Sequence, residues 1–217
     1  MTEQIVIAPF LIAFVTAIAT LATRKFSKAQ NIISLTGGFG YAVAIFLLLP
    51  EVQTTTLTYQ LSGWPAPYGI TLVADALSGF MLMITAIVMV PSLIYSQKYM
   101  DRFAHSVSYQ PLFHFMTAGV TGSFLTGDLF NLFVWFEVML MSSYILVVFY
   151  GKKEQTLTAF KYVVINVVGS ALMLLAIGGI YATTGTLNMA DLAVRLGNPA
   201  QYGITVGPVL GFASLLF

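Results

Sequence analysis

"TGDLFNLFVWFEVMLMSSYILVVFYGKK", residues 126–153, decides the fold class. Residues 129–150 of this stretch are apolar or weakly polar with a single carboxylate, Glu137. As a helix rising 1.5 Å per residue the run is about 33 Å long, enough to cross roughly 30 Å of hydrocarbon. Glu137 then sits about 12 Å from one end and about 20 Å from the other, well inside the lipid. An acid at that depth costs about 2.5–3.5 kcal/mol to insert, so it is expected to face a partner, a cavity or a file of water. Desolvation favours the neutral form, which lets such an acid load and release protons. The competing reading is a neutral glutamate that serves only as interhelical glue.

The rest of the chain agrees with a membrane setting. Of 217 residues, 58% are hydrophobic and 8% charged, against roughly 25% charged in an ordinary soluble domain. A net charge of +1 with no long basic run leaves no footprint for nucleic acid. The absence of cysteine excludes disulfides, thiolate metal sites and cysteine-ligated iron–sulfur clusters. The two histidines, His105 and His114, are too few for most metal cages, so neither a metal nor a cofactor is expected. The apolar run 5–23 is followed, not preceded, by Arg24, Lys25 and Lys28, which suits a retained first helix better than a signal peptide.

Apolar length predicts an all-α, polytopic transmembrane bundle with spans at 5–23, 32–50, 76–95, 111–126, 129–150 and 157–181. A seventh begins near residue 204, and the fourth, short by strict apolarity, is expected to start a turn earlier near Ser106. Arg24, Lys25, Lys28, Lys98, Arg102, Lys152 and Lys153 fall on one side, with Lys161 just inside the membrane. Arg195 stands alone on the other side beside Glu3, Glu51, Asp75, Asp128 and Asp191. The positive-inside rule then places the amino terminus outside and the basic loops in the cytoplasm of a cell-membrane protein. "TTTLTYQLSGWPAPYGITLVAD", residues 54–75, alternates around a Gly-Trp-Pro-Ala-Pro turn and predicts a short β-hairpin on the outer face, with Trp64 at the interface. "GTLNMADLAVRLGNPAQYG", residues 185–203, predicts a brief amphipathic helix started by Asn188 and closed by Gly197. No internal repeat or linker divides residues 1–217, which read as one membrane domain. The final apolar run, residues 204–217, is about 21 Å long and too short to span upright, so the chain is expected to be the front part of a longer protein or to have its remainder supplied elsewhere.

Partners for Glu137 must come from elsewhere, because the neighbours on its own face are Phe133, Val134, Leu140 and Met141, with only Tyr144 polar. The sixth span offers Lys161, Asn166 and Ser170. Lys161 lies about 6 Å below the inner surface, too shallow to cover the whole gap, and either snorkels to the boundary or serves a proton path. Asn166 and Ser170 share a face at i and i+4 and suit either a water relay or plain interhelical bonding. His114, one turn into the fourth span, has an ordinary pKa near 6.5 that suits a proton path, but it is a weaker candidate because a histidine near a helix end is more often simply interfacial. Asp75 and Asp128 sit where helix caps are expected. Gly119 with Ser123, and Gly122 with Thr126, form small-xxx-small pairs for close helix packing. There is no HExxH, paired-aspartate or Ser/Lys arrangement pointing to an intramembrane enzyme.

"TGDLFNLFVWFEVMLMSSYILV", "TGTLNMADLA" and "LSGWPAPYGITLVADALS" together resemble the D subunit of the Mrp-type multi-subunit cation/proton antiporters, over essentially the whole chain. More distantly, the chain is similar to the antiporter-like subunits of respiratory complex I. The resemblance implies a proton-translocating subunit that works with other subunits of a hetero-oligomeric complex on protons and Na+ or another monovalent cation. It implies no cofactor. Glu137 matches the family's fifth-helix glutamate and Lys161 a common sixth-helix lysine. The family's partner lysine lies on a broken seventh helix followed by an inverted second repeat, and residue 217 falls before it. Two alternatives accompany this reading: a proton-pumping subunit driven by quinone chemistry, which would make it a translocase at most, and a non-transporting assembly subunit.

Overall fold

The structure is a computed structural model and describes residues 3–99, 109–151 and 153–216. His105, Arg102, Lys152 and the start expected near Ser106 lie outside the described residues. The chain folds as α1 (Ala8–Ala22), α2 (Ser27–Thr54), β1 (Leu57–Gln60), β2 (Thr71–Ala74), α3 (Ala76–Tyr99), α4 (Tyr109–Leu125), α5 (Leu129–Val147), α6 (Lys153–Thr184), α7 (Met189–Gly197) and α8 (Val206–Ala213). α2, α3, α5 and α6 are each long and apolar enough to cross a membrane, with α1 a shorter apolar helix. This is a multi-pass helical membrane fold with one small sheet.

Each predicted span has a counterpart, with informative differences at the ends. α2 begins at Ser27, five residues before the apolar run, because Gln30 and Ser34 turn into the bundle and are fully buried there. Pro50 and Pro91 lie inside α2 and α3, as membrane helices tolerate when neighbours satisfy the freed carbonyls. α5 stops at Val147, three residues early, in a turn that Gly151 closes at φ 62°.

α1 to α4 surround the main core, which is apolar towards the hairpin and includes Ile45, Leu48, Leu82 and Leu125. α5 packs on α4 through the two expected small-residue positions. A side chain at Gly119 would strike the backbone of Met139, and one at Gly122 the indole of Trp135, so only glycine lets the helices approach this closely. α6 lies against α5, and Gly179 receives the ring of Phe212 from α8.

The hairpin forms as the sequence predicts. β1 and β2 pair antiparallel with Leu57 opposite Ala74 and Gln60 opposite Thr71. Ser62 and Gly63 take left-handed φ values of 58° and 72° in the connecting turn, while Trp64 and Tyr68 are exposed as interface aromatics are. Three caps are also as expected. Asp75 Oδ1 accepts from the Ser78 backbone N–H at 2.7 Å, Asp128 Oδ1 accepts from Asn131 N–H at 2.8 Å, and Asn188 Oδ1 accepts from the N–H of Ala190 and of Asp191 at 3.1 Å.

Candidate functional site

α5 presents two faces, and its residues sort cleanly between them. Asn131, Trp135, Met139 and Ser142 recur every three or four residues; Asn131 and Ser142 are buried, while Trp135 and Met139 are the residues met by α4's glycines. Glu137 is two residues past Trp135, about 200° around the helix, so it faces away from α4. Tyr144, seven residues on, shares its face and lies within electrostatic reach of the Glu137 carboxyl and of Tyr162. Tyr144 in turn meets the ring of Tyr162 on α6 edge-on, with centroids 5.2 Å apart. Glu137 thus looks towards the α6 side of the bundle.

α5 and α6 run in opposite directions, so seven residues along from the Tyr144–Tyr162 contact puts Glu137 level with Gly169. At Gly169 a side chain would meet nothing within 4 Å. Asn166 and Ser170 flank this level on the half-buried stripe of α6 that continues through Met173 to Ile177 and Ile180. Asn166 spends its amide on its own helix, donating to the Tyr162 carbonyl at 2.8 Å. Lys161 is exposed, off that stripe, and about 12 Å along the axis from Gly169. Among the described residues, the ion pair within 4.0 Å is Asp191–Arg195, not one to Glu137. Glu137 itself is half-buried, and its Oε1 is shielded from solvent without a hydrogen-bond partner among the described residues. A carboxyl oxygen in that state asks for a proton, a water or a cation.

A cavity of about 400 Å³ opens at the end of the bundle that carries Lys153, lined by Tyr109, Met116, Ser143, Tyr150 and Gln155 among others. It sits where α4, α5 and the start of α6 meet, one residue from Tyr144. At the opposite end a cavity of about 460 Å³ lies under the hairpin, lined by Thr58, Gln60, Thr71, Asp75, Thr126 and Asn188 among others. Ser78, through its backbone N–H and then its hydroxyl, holds the Asp75 carboxyl below the ordinary carboxylate range, so this cavity carries a negative charge.

Two features escaped the sequence reading. The first is a main-chain clasp at the hairpin end: Gly127 N–H donates to Thr71 O at 2.9 Å, Leu129 N–H to Leu187 O at 2.9 Å and Met189 N–H to Gly127 O at 2.8 Å. It ties the turn before α5 to β2 and to the start of α7, and Asn188 Nδ2 adds a bond to Thr71 Oγ1 at 3.1 Å. The second is the setting of His114, which is fully buried and bonded to Ser34 rather than interfacial. The i, i+4 pairs Gln30/Ser34 and Gln110/His114 were the available signal for it. Arg195, the lone basic residue at the hairpin end, has a local explanation. Its Nη1 donates to the last carbonyl region of α6, Thr184 O, at 2.7 Å, and its Nη2 pairs with Asp191 at 3.0 Å. Gly185, at φ 71°, closes the same helix in the left-handed conformation.

Residues 126–217 match the model of the NADH:quinone oxidoreductase/Mrp antiporter transmembrane family. The chain is 42% identical over 206 residues to the D subunit of the Na(+)/H(+) antiporter of Alkalihalophilus pseudofirmus, an alignment covering 93% of this chain. The chain belongs to the NADH:quinone oxidoreductase/Mrp antiporter family. Its fold superposes on a chain of the archaeal membrane-bound sulfane sulfur reductase with a TM-score of 0.90 at 25% identity, covering 98% of this chain and 43% of that one. It superposes on a chain of the Mrp complex from Dietzia sp. DQ12-45-1b with a TM-score of 0.78 at 26% identity, covering 99% of this chain and 39% of that one. The chain spans only 41% of the length of the Alkalihalophilus protein. The family match begins at Thr126, in the clasp, so Glu137 and the α6 stripe lie inside it.

Proposed function

We propose that this chain is part of the D subunit of a hetero-oligomeric antiporter in the cell membrane that exchanges Na+ or another monovalent cation for protons. Glu137 is the acid that carries the proton. The observation that supports this most is its buried Oε1, which has no hydrogen-bond partner among the described residues, on the face of α5 turned towards α6. The cavity beside Tyr109 and Ser143 offers water a way in from the basic end, which the positive-inside rule assigns to the cytoplasm. Tyr144 stands between that cavity and Glu137 as a hydroxyl relay. Lys161 reaches the basic boundary with its ammonium group and tunes the field along the path rather than pairing with Glu137.

The mechanism is electrostatic. One unit charge arriving at 4 Å, at an effective dielectric of 20, changes the balance between ionised and neutral Glu137 by about 4 kcal/mol, enough to switch its proton occupancy. The cation need not touch the carboxylate; its charge, or that of a lysine moved by it, is sufficient. Residues beyond those of this chain complete the pathway and the partner interfaces.

The test is Glu137→Gln in the complete complex, followed by sodium-driven dissipation of a pH gradient in vesicles. Loss of exchange with normal assembly is the expected result, and unchanged exchange removes Glu137 from the mechanism. The 0.90 superposition on a respiratory complex supports a second reading, in which redox chemistry in partner subunits drives the proton. Under that reading exchange in vesicles requires an electron donor, whereas the antiporter reading needs only the sodium gradient.

A further inference from the structure

The interior of the α1–α4 bundle is apolar near the hairpin, and over its other half a polar stripe runs beside the buried Met89 and Leu93. On α4 the inward residues Gln110, His114, Thr117 and Thr121 repeat at intervals of four, three and four, and all four are buried. On α2 they are met by Ser34 and Tyr41, both fully buried, with Gln30 fully buried one turn before Ser34. Tyr41 Oη and Thr121 Oγ1 are hydrogen-bonded at 2.8 Å, and beyond them the core turns to Ile45, Leu48 and Leu125. The polar seam therefore stops near mid-bundle.

Its bonding leaves two acceptors unmet. Ser34 has one hydroxyl proton, which it donates to Gln110 Oε1 at 2.7 Å, so toward His114 Nε2, 2.9 Å away, it acts as acceptor. That pattern puts the ring proton on Nε2 and leaves Nδ1 with a bare lone pair, and Nδ1 is buried without a partner among the described residues. Gln30 donates Nε2–H to Thr20 O at 3.0 Å while its Oε1 is likewise buried and unmatched. Gln110 Nε2 reaches the Ser96 hydroxyl at 3.5 Å, and Ser96 donates to Leu93 O at 2.8 Å. Gln30 and Gln110 each keep a second amide hydrogen, but among the described residues no donor is bonded to Nδ1 or to Gln30 Oε1. Only a molecule bringing its own hydrogens can satisfy Nδ1 and Oε1, and water is the one small enough.

The seam ends at a height that matters. Gly119 meets Met139 and Gly122 meets Trp135 across the α4–α5 contact, which puts Thr121 level with Glu137. His114 lies about 7 Å into α4, counted from the Tyr109 end. Among the described residues, the charged side chains on the packed helices are Lys28 and Lys98, both exposed at that end, Glu51, exposed near the hairpin end of α2, and Glu137 on the far face of α5.

We propose that the α2–α4 seam is a hydrated half-path, separate from the cavity at Ser143, in which water bound at His114 Nδ1 relays protons between the basic end and the Tyr41–Thr121 pair. The inference rests on the proton-carrying reading of Glu137 but uses none of its residues. At Nδ1 the ring takes a proton from one water and returns it to the next, so the histidine is unchanged after each passage. Nε2–H keeps its bond to Ser34 throughout.

X-ray hydroxyl-radical footprinting of the intact complex reads bound water directly. After correction for intrinsic reactivity, His114 and Tyr41 are expected to be modified well above Leu82 and Leu125, which are equally inaccessible at 0% exposure. Protection of His114 and Tyr41 to the level of those leucines overturns the proposal. In vesicles, His114→Gln, which retains an N–H for Ser34 and cannot cycle a proton, is expected to slow exchange severalfold. If that variant does not assemble, Tyr41→Phe, which removes one hydroxyl, takes its place with the same expectation. A wet seam with unaltered exchange overturns the relay and leaves Glu137 standing, whereas loss of the Glu137 reading shows in Glu137→Gln alone.

Discussion

Gly119→Ala offers a test in which the structure reverses what helix propensity alone expects. The added methyl would lie 2.8 Å from the backbone nitrogen of Met139 and 3.0 Å from its Cα. Backbone atoms inside a helix cannot step aside singly, so α5 must shift as a body and loosen its contact with α4. Overpacking of this kind costs about 1–3 kcal/mol, against about 1 kcal/mol gained by replacing glycine in a helix interior. The net loss is up to about 2 kcal/mol, which for a chain of this size lowers the thermal midpoint by up to about 8 °C. Gly169→Ala makes the same chemical change where nothing lies within 4 Å, and is expected to hold or raise the midpoint, by up to about 1 kcal/mol of stability. Thermal melts of both variants in the same detergent, followed by circular dichroism, give the comparison. A Gly119→Ala midpoint at or above that of the parent protein would show that the α4–α5 approach is looser than described and refute the reasoning.

Asp128, nine-tenths buried, has its carboxyl pushed above the ordinary range by burial, so the folded state binds a proton more readily than the unfolded one and loses stability as pH rises through the folded value. Asp128→Asn keeps the cap and removes the charge, so it should melt no lower than the parent and with a flatter pH dependence, while Asp128→Ala should lose about 1 kcal/mol. For Asp75 the sign is opposite. Its folded value is depressed below the ordinary 3.8, so its contribution is complete above that value and disappears as pH falls through the lower folded one; Asp75→Ala should flatten an acid titration of stability over that window. Arg195→Gln should cost about 1–2 kcal/mol by releasing both the Thr184 carbonyl and Asp191, measurable as faster backbone exchange at the end of α6.

Much of the fold was legible because lipid imposes a length and water imposes a polarity. Glu137 could be singled out for the same reason, since one carboxylate in a lipid-length run is conspicuous. The hairpin was legible in its turn residues, and α7 in the capping asparagine, Asn188. Gln30, Ser34 and Gln110 were not legible as a group. Polar residues near a helix end look like residues at the wet boundary, and only their four-residue spacing distinguishes a buried pair from an exposed one. Apolar length shortens α2 for that reason, since it leaves out a first turn that the bundle interior accepts. Side-by-side levels such as Glu137 with Gly169 depend on how two helices dock, which here is set by glycines and by the Tyr144–Tyr162 ring contact. Those docking heights have no signature along one strand of sequence.

The bonds joining residues 71, 127, 129, 187 and 189 are made by peptide groups alone. Amide and carbonyl are common to nearly every residue, so drift at the other positions leaves these bonds in place, whereas a side chain at Gly127 would strike Val73 and crowd the Thr71 carbonyl. The floor of α5, and with it the depth of its acid, is thereby anchored to a lattice that point substitutions cannot easily erase. Insertions and deletions, which shift the peptide register, are the changes this rim would not survive.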